Sequence, residues 1–314
     1  MTSVGSARAS LVDATHRLAQ AGVPSPSVDA ELLLAHVLDV PRGNLILTRE
    51  ITEQQQRDYN HVVEQRCRRR PLQHIVGSAG FRRLTLAVGP GVFVPRPETE
   101  ILVEIAVRFL RELPPPRRVW DLCSGSGAIA LSLATEVPDT HVLAVEMSDD
   151  ALPWLERNVH SHEAALNAVR SSVRILHGDA ATVPLAEDSG TIGITDLVAT
   201  NPPYIPDDAT PIEPEVTHYE PAMALYGGPD GLDLVRRLTH TAATLLRPGG
   251  LLLIEHADVQ GEANANGVPA LLRAQTDAHG ASTWTDVRDY TDLAGKPRVS
   301  AAVRNAPEIG RAHV

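Results

Sequence analysis

The first 75 residues carry apolar side chains at helical spacing. Within "SARASLVDATHRLAQAG" the apolar residues Leu11 and Leu18 fall on one face of a helix, which Gly22 can end. Further along, Thr52 and Gln55 have the spacing of a capping box, which predicts the start of another helix. The pattern therefore predicts a small helical domain at the beginning of the chain.

After residue 116 the pattern changes to short apolar runs that alternate with longer helix-like segments. The runs "RRVWDL" and "HVLAVE" have the composition of buried strands, and "AIALSLATEV" between them has that of a helix. The same alternation continues to a last predicted helix near residues 268–279 and two final β segments. Strands that alternate with helices are typical of a parallel, doubly wound α/β sheet.

These patterns divide the chain into four predicted regions. They are a helical domain over 1–75, a hairpin or linker over 76–95, an α/β domain over 96–304 and a flexible tail over 305–314.

Composition narrows the class of protein. Hydrophobic residues make up 43% and charged residues 21% of the 314 residues, which is ordinary for a globular protein. The two cysteines, Cys67 and Cys123, indicate no disulfide framework, and we find no Cys/His spacing of a zinc site and expect no metal. The first residues lack an apolar signal core, and no apolar run has membrane-spanning length. We therefore expect a cytoplasmic protein without a membrane partner.

Acidic residues dominate the second part of the chain. Residues 121–314 carry 12 basic and 27 acidic residues of a chain whose net charge is −11. A field of that sign disfavours tight binding to a nucleic-acid backbone. The arginines of "RCRRR", Arg66 and residues 68–70, indicate either a solvated helix end or a docking patch for an acidic surface.

A glycine-rich turn follows the first predicted strand of the α/β domain. In "DLCSGSGAIA", Gly125 and Gly127 let the backbone approach a ligand closely, and the next helix offers free N–H groups. With Ala130, and with Glu146 about 20 residues further on, the turn also matches the nicotinamide-dinucleotide fingerprint. The glycines alone leave the ligand open.

Acidic residues at three successive strand ends narrow the choice of ligand. Asp121 precedes the glycines and can orient the turn or meet a cation, while Glu146 can accept both hydroxyls of a ribose. Asp179, in "HGDA", can accept from an adenine amino group. Three carboxylates suit a cationic nucleoside such as S-adenosylmethionine, whereas they would repel a pyrophosphate.

The stretch "ATNPPYIP" ends the fourth strand with a stiff turn. Because a proline follows it, Asn201 is held extended, and its side-chain oxygen and the Pro202 carbonyl become two fixed acceptors. Such a pair matches the two donors of a planar –NH2 group, on which Tyr204 could stack. Acceptors aimed at a nitrogen that becomes positive stabilise the transition state of methyl transfer. A proline-rich turn with a packing tyrosine is the structural alternative.

These stretches resemble class I S-adenosylmethionine-dependent methyltransferases that modify planar amino groups. Three more stretches, "VFVPRPETE" (92–100), "EPAMALYGGPDGLDL" (220–234) and "DLAGKPR" (292–298), are similar to the HemK/PrmC family of peptide chain release factor N5-glutamine methyltransferases. The resemblance implies a mostly parallel, Rossmann-like sheet of seven strands, with a small N-terminal helical domain that contacts the release factor. It also implies that the substrate is the Gly-Gly-Gln glutamine of a class 1 release factor.

The resemblance gives roles to matching residues. Residues 123–127 would wrap the methionine part of the cofactor, Glu146 would hold the ribose, and Asp179 with Ala180 would border the adenine. The full set implied at the cofactor is Asp121, Cys123, Ser124, Gly125, Ser126, Gly127, Glu146, Asp179, Ala180 and Asn201. The residues implied at the glutamine amide are Asn201, Pro202, Pro203 and Tyr204, of which Asn201, Pro202 and Tyr204 would be catalytic. Those implied at the entrance are Pro95, Arg96 and Glu98.

Two positions depart from the family pattern, and one nearby residue has no implied role. Cys123 stands where the family usually has glycine, and Glu146 replaces the commoner aspartate. His256, after the fifth strand, is expected to be structural.

Three other functions are weighed against this one. An amino methyltransferase of DNA or RNA would use the same turn, but the acidic second part of the chain and the lack of an inserted basic domain argue against it. A nicotinamide dehydrogenase would leave the 201–204 turn unexplained. A non-catalytic protein that binds a translation factor would need neither the glycine turn nor the Asn-Pro-Pro-Tyr turn.

Overall fold

The structure is a computed structural model that describes residues 3–187 and 192–306. The described chain forms two compact units. The first consists of the residues up to Ser78 with Val88–Pro90 and Thr210–Glu220, and the second holds the remainder. The flexible tail predicted over 305–314 lies, from residue 307 on, outside the described residues.

Helices and strands follow one another along the described chain. In order they are β1 (Ser3–Ser6), α1 (Ala7–Gln20), α2 (Pro26–Leu38), β2 (Glu50–Thr52), α3 (Glu53–Cys67), α4 (Leu72–Val76), β3 (Ser78–Phe81), β4 (Leu84–Ala87), α5 (Glu100–Arg111), β5 (Arg117–Leu122), α6 (Ala128–Glu136), β6 (Thr140–Glu146), α7 (Leu152–Ser161), α8 (Glu163–Ala168), β7 (Ser172–His177), α9 (Val183–Glu187), β8 (Thr195–Thr200), α10 (Pro214–Tyr219), α11 (Asp233–Leu245), β9 (Leu246–Glu255), α12 (Val268–Ala274), β10 (Trp284–Thr291) and β11 (Pro297–Arg304). Short 3-10 turns lie at Arg42–Leu47, Pro97–Thr99, Ala222–Ala224 and Asp258–Gln260.

The first unit is built on helices α1 to α4. The predicted capping box starts α3, since the Gln55 N–H donates to Thr52 Oγ1 at 3.2 Å and the Thr52 N–H donates to Gln55 Oε1 at 2.9 Å. The core of the unit contains the fully buried Leu18, together with Tyr59, whose hydroxyl donates to the Ala30 carbonyl at 2.9 Å. A buried phenol therefore keeps its hydrogen bond, as buried polar groups require.

The second unit contains a seven-stranded sheet with the order β10-β11-β9-β8-β5-β6-β7. Strands β5, β6, β7, β8 and β9 run parallel, and β11 runs antiparallel to both β9 and β10. The central strands are apolar on both faces, because one hydrophobic cluster packs on each side of the sheet. The doubly wound α/β fold with seven strands, predicted from the sequence, is confirmed.

The sheet order determines which turns become neighbours. The chain reverses its direction of winding at β5, which has β6 on one side and β8 on the other. Leu122, the last residue of β5, pairs with Thr200, the last residue of β8. The glycine turn and the Asn-Pro-Pro-Tyr turn therefore leave adjacent strands at the same edge, where open α/β sheets bind their ligands.

The last helix is shorter than its sequence pattern predicts. The prediction ran to residue 279, but α12 ends at Ala274 because Gln275 is extended. Asp277 then closes a tight turn, since its Oδ1 accepts from the N–H groups of His279 and Ala281 at 2.8 and 3.0 Å. An aspartate that bonds its own neighbouring backbone competes with the helix in this way.

Over residues 3–187 and 192–306, no helix combines the length and the apolar character needed to cross a bilayer.

Candidate active site

The glycine turn after β5 contains residues with left-handed backbone. Gly127 has a φ of +84°, which favours glycine, and a Cβ added there would lie 2.7 Å from Leu155 Cδ1, so the leucine side chain would have to shift. Cys123 also has a positive φ, +68°. A left-handed conformation is costly for a residue with a Cβ, which explains why glycine suits this position in the family pattern.

Glu146 connects the end of β6 to the glycine turn. Its Oε2 accepts from the Gly125 N–H at 2.7 Å, and its Oε1 accepts from the N–H groups of Met147 and Ser148 at 2.9 and 2.8 Å. The side chain is buried. Three backbone donors thus hold one carboxylate at the carboxyl edge of the sheet, which leaves one of its about four lone-pair sites for a further donor.

Asp121 lies beneath the turn rather than in front of it. Its side chain is fully buried, and its Oδ2 accepts from the Ala130 N–H at 3.0 Å. Burial raises the pKa of Asp121 to about 7. Of the two roles left open by the sequence, these contacts agree with orienting the turn, because the carboxylate bonds the first turn of α6.

Asp179 follows β7 and is held on both oxygens. Its Oδ1 accepts from the Ala181 N–H at 2.8 Å, and its Oδ2 accepts from Arg237 Nη2 at 2.5 Å. The ion pair with Arg237, a residue of α11, was not foreseen in the sequence pattern. It places a cation beside the third carboxylate of the edge.

The Asn-Pro-Pro-Tyr turn is held by side chains from distant parts of the chain. Asn201 Nδ2 donates to Thr99 Oγ1 at 3.2 Å, so its Oδ1 lies on the opposite side of the amide group. The Tyr204 hydroxyl donates to Glu255 Oε1 at 3.4 Å, and the Tyr204 carbonyl accepts from Gln260 Nε2 at 2.9 Å. Both ends of the tyrosine are therefore fixed.

The glycine-rich segment 225–231 packs directly against this turn. The Ile205 N–H donates to the Leu225 carbonyl at 2.8 Å, and the Gly227 N–H donates back to the Ile205 carbonyl at 2.9 Å. Gly231 has a φ of +77°, and a Cβ added there would lie 2.1 Å from the Tyr204 carbonyl oxygen. The segment thus supports the turn through backbone contacts that a larger residue would prevent.

Comparison with known proteins identifies the family. The family model described as PrmC N-terminal domain matches residues 10–77, and that described as Methyltransferase small domain matches residues 84–213. A release factor glutamine methyltransferase of Streptomyces coelicolor is 45% identical over 301 residues, which cover 95% of this chain and 98% of the relative. One of Mycolicibacterium smegmatis is 43% identical over 299 residues, with coverage of 95% and 98%. The chain belongs to the release factor glutamine methyltransferase family.

A solved structure with a related description also matches. It is a release-factor-specific protein-(glutamine-N5) methyltransferase from Alicyclobacillus acidocaldarius, 27% identical, covering 70% of this chain and 99% of that chain at a TM-score of 0.37. A score this low leaves the family assignment to the sequence relatives. Membership of the family confirms the prediction of a methyltransferase that uses S-adenosylmethionine.

The residues at the carboxyl ends of β5 and β6 fit this cofactor. A Cβ added to Gly125 would meet no heavy atom of the described residues within 4 Å, so the space in front of the turn is open. Glu146 presents its carboxylate beside that space through its bond to the Gly125 N–H. Open space at Gly125 and a carboxylate acceptor beside it suit a nucleoside with an amino-acid tail.

The family stretch "PRPETE" provides both surface residues and a buried contact. Arg96 lies over the ring of Phe93, with its Cζ 5.2 Å from the ring centroid, and Glu98 is exposed. Pro95 is partly exposed. Their predicted place at the entrance to the site stays a prediction, whereas Thr99 of the same stretch contacts Asn201.

Thr99 and Glu255 are site residues that the sequence pattern did not distinguish. Thr99 lies 102 positions from Asn201, and Glu255 lies 51 positions from Tyr204, so no local spacing connects them. The sequence did contain two indications of these site residues. They are a threonine inside the family stretch "VFVPRPETE" and a glutamate at the end of the apolar strand β9. A charged residue that ends a buried strand is an indication of function, since burial of a carboxylate is costly.

His256 lies beside Glu255 and faces away from the turn. It is fully buried, with Nδ1 2.9 Å from the Ala257 carbonyl and Nε2 3.1 Å from Asp289 Oδ1. The Asp289 carboxylate also accepts from the Glu262 N–H at 2.6 Å. These contacts join β9 to β10, in agreement with the structural role expected for the histidine.

Two arginines of the cluster in the first unit form ion pairs within that unit. Arg66 is buried and pairs with Asp29 and Glu215, both at 2.7 Å, and Arg69 pairs with Glu215 at 2.6 Å. Only Arg68, exposed and paired with Glu64 four positions away, behaves as a solvated residue of a helix end. A solvated end was wrong for Arg66 because two carboxylates allow its guanidinium to be buried.

Proposed function

We propose that this chain transfers the methyl group of S-adenosylmethionine to the side-chain nitrogen of a glutamine, in the Gly-Gly-Gln motif of class 1 peptide chain release factors. The observation that carries the proposal is the orientation of the Asn201 amide at the carboxyl end of β8. Its Nδ2 is used by Thr99, so that its Oδ1 can accept a hydrogen bond on the other side. Relatives named release factor glutamine methyltransferase, up to 45% identical, support the substrate.

The proposed cofactor site is the carboxyl edge of β5, β6 and β7. The backbone of residues 123–127 holds the methionine part, Glu146 accepts from the ribose hydroxyls, and Asp179 with Ala180 borders the adenine. S-adenosylmethionine supplies a methyl group that is electrophilic because it is bonded to a sulfonium. Asp121 acts indirectly, by holding the Ala130 N–H and with it the glycine turn.

The proposed substrate site is the Asn-Pro-Pro-Tyr turn. Asn201 Oδ1 and the Pro202 carbonyl accept the two N–H groups of the glutamine amide, while Pro203 stiffens the turn and Tyr204 packs on the plane of the amide. Holding both N–H groups directs the nitrogen toward the methyl group, which is catalysis by orientation. The two acceptors bind more strongly as positive charge develops on nitrogen, which is electrostatic stabilisation of the transition state.

Tyr204 acts in this scheme as a neutral phenol. Burial, and then the neighbouring Glu255, raise the pKa of Tyr204 above its usual value. The hydroxyl therefore keeps its proton at neutral pH and donates it to Glu255. A tyrosine fixed in this way presents its ring in one orientation.

The helical domain over residues 1–75 is proposed to recognise the release factor, and the α/β domain over 96–304 to carry the catalysis. The segment 76–95 would connect them, and Pro95, Arg96 and Glu98 would line the entrance. Since release factors work in translation, the proposed location is the cytoplasm. A nucleobase amino group as the substrate, or binding without catalysis, finds no support among the named relatives.

A labelling experiment tests the proposal. The protein is incubated with S-adenosylmethionine labelled in the methyl group and, in separate reactions, a class 1 release factor, the same factor with the glutamine of its Gly-Gly-Gln motif changed to alanine, and nucleic acid. We expect label on the first substrate only. Label on nucleic acid, or equal label on the alanine variant, would overturn the proposed substrate.

A further inference from the structure

Two buried residues and one partly buried arginine lie behind the Asn-Pro-Pro-Tyr turn. Thr99 comes from the 3-10 turn before α5, Glu255 ends β9, and Arg298 belongs to β11. Thr99 and Glu255 are 4% and 1% exposed, and the Thr99 side chain, as a hydrogen-bond partner, lowers the pKa of the Glu255 carboxyl. Thr99 Oγ1 also accepts from Asn201 Nδ2 at 3.2 Å, and Glu255 Oε1 accepts from the Tyr204 hydroxyl at 3.4 Å.

The chemistry of these groups gives the chain of hydrogen bonds one direction. A carboxylate has only acceptors, so the single proton of the Thr99 hydroxyl points to Glu255. The lone pairs of that hydroxyl are then left for a donor, and the donor of the Asn201 side chain is Nδ2. Asn201 Oδ1 is thereby turned to the opposite side.

The direction matters because an asparagine amide has two orientations of nearly equal shape. Rotated by half a turn, Asn201 would present –NH2 to the –NH2 group of the substrate, donor against donor. A Thr99 hydroxyl that donates to Glu255 cannot also donate to Asn201 Oδ1. The orientation of the amide therefore depends on an acceptor behind Thr99.

We propose that Glu255 is a positioning residue for methyl transfer, which orients the Asn201 amide through Thr99 and anchors the Tyr204 ring through its hydroxyl. The inference rests on the proposed role of Asn201 as an acceptor for the substrate amide. It involves two of the family stretches, because "PRPETE" contains Thr99 and "DLAGKPR" contains Arg298, and Glu255 ends a strand that lies between them in the sequence.

The charges around Glu255 predict a dependence on pH. Burial raises the pKa of Glu255 to about 7, with Arg298 on β11 opposing the rise and Glu98 on the 3-10 turn adding to it. Tyr204 faces the carboxyl as a donor, while the adjacent His256 is turned toward Asp289. Below that pH Glu255 becomes neutral, and its hydrogen bonds lose the strength that a charged acceptor gives them.

Replacement of Glu255 by glutamine tests the inference. The variant E255Q keeps the shape, removes the charge and adds an –NH2 donor that can reverse the direction of the Thr99 hydroxyl. We expect kcat to fall about tenfold or more, as when one oriented group of a polar catalytic site is lost. The KM for the release factor and the Kd of S-adenosylmethionine should stay within about twofold, because neither ligand touches Glu255. In wild type, kcat should fall as the pH drops below about 7, and E255Q should lose this dependence.

Variants of Thr99 separate orientation from packing. T99V removes the hydroxyl at nearly constant shape and should lower kcat to a similar extent as E255Q, whereas T99S restores the hydroxyl and should recover most of the activity. Thr140→Val is the matched control, since Thr140 is fully buried at the start of β6 and its Oγ1 has no partner among the described residues. In the N201A background, E255Q should have little further effect on kcat.

Three results would contradict the positioning role of Glu255. A wild-type kcat and an unchanged pH profile in E255Q would overturn the inference, as would an equal loss of kcat in T140V. A drop confined to cofactor affinity would also contradict it. Label on nucleic acid from the wild-type protein would refute the proposed substrate instead, and the kcat of E255Q relative to wild type would then be measured on that substrate.

Discussion

Arg66 and Glu215 lie 149 positions apart in the chain and form an ion pair of 2.7 Å within the first unit. Their side chains are 7% and 13% exposed, and Arg69 donates to the same carboxylate. Glu215 lies in the segment Thr210–Glu220, which follows the Asn-Pro-Pro-Tyr turn in the chain. The ion pair attaches this segment to the helices of the first unit, to which the segment belongs.

Glu215→Gln is expected to destabilise the protein. Removal of one partner from a buried pair costs about 3–5 kcal/mol, and we expect at least about 2 kcal/mol here because Arg66 retains Asp29. The measurement is the free energy of unfolding in urea. Glu64→Gln is the matched control, since Glu64 forms an exposed pair with Arg68 and should cost less than about 1 kcal/mol. Equal losses in the two variants would contradict the assignment.

Gly231→Ala should reduce methyl transfer by displacing the turn that contains Tyr204. An added Cβ would lie 2.1 Å from the Tyr204 carbonyl oxygen, so the backbone of one of the two segments must move. A shift of this kind near a reacting group costs up to about 100-fold in rate. Gly280→Ala is the control, because Gly280 has a similar φ of +80° but no heavy atom of the described residues within 4 Å of the added Cβ. Both variants carry the backbone strain, and only G231A should lose kcat.

Asp121→Asn should change the pH dependence of stability. The pKa of Asp121 rises on folding from 3.8 to about 7, so the native state binds more protons than the unfolded state between these values. Stability then falls as the pH rises through this window, and the loss is complete above pH 7. Asparagine can still accept from the Ala130 N–H but does not titrate. In urea unfolding, the free energy of unfolding of D121N minus that of wild type should therefore increase as the pH is raised from about 5 to about 8. A difference that does not change with pH would contradict this prediction.

Much of the fold and the first layer of the site can be predicted from short stretches of sequence. Leu122 and Thr200 are adjacent because they end neighbouring parallel strands, and the carboxyl ends of such strands lie at the same edge of the sheet. The spacing of Thr52 and Gln55 also predicts the capping box at the start of α3. Each of these signals lies within one element or follows from a general rule of sheet topology.

The supporting contacts could not be predicted in the same way. Thr99 and Asn201 meet across 102 positions, and Arg66 and Glu215 across 149, so each pair depends on the complete packing of its unit. Burial also limits what composition can predict, since a solvated helix end was one of two interpretations of "RCRRR", whereas two carboxylates allow Arg66 to be buried. The end of α12 at Ala274 could not be predicted from the helical pattern either. There the side chain of Asp277 accepts hydrogen bonds from the nearby backbone, and these bonds compete with continuation of the helix.

Asn201→Ala should nearly abolish methyl transfer while the cofactor still binds. The change removes the Oδ1 acceptor proposed to hold the substrate amide, and loss of one oriented group in a polar catalytic site costs about 100–1,000-fold in kcat. The cofactor is held mainly by the glycine turn and Glu146, so the Kd of S-adenosylmethionine in calorimetry should change by less than about threefold, a shift of under about 0.7 kcal/mol. Asn201→Asp keeps an acceptor but loses the donor to Thr99, and its kcat should lie between those of N201A and wild type. Full activity in N201A, or loss of cofactor binding together with activity, would show that the turn shapes the pocket and does not act on the substrate nitrogen.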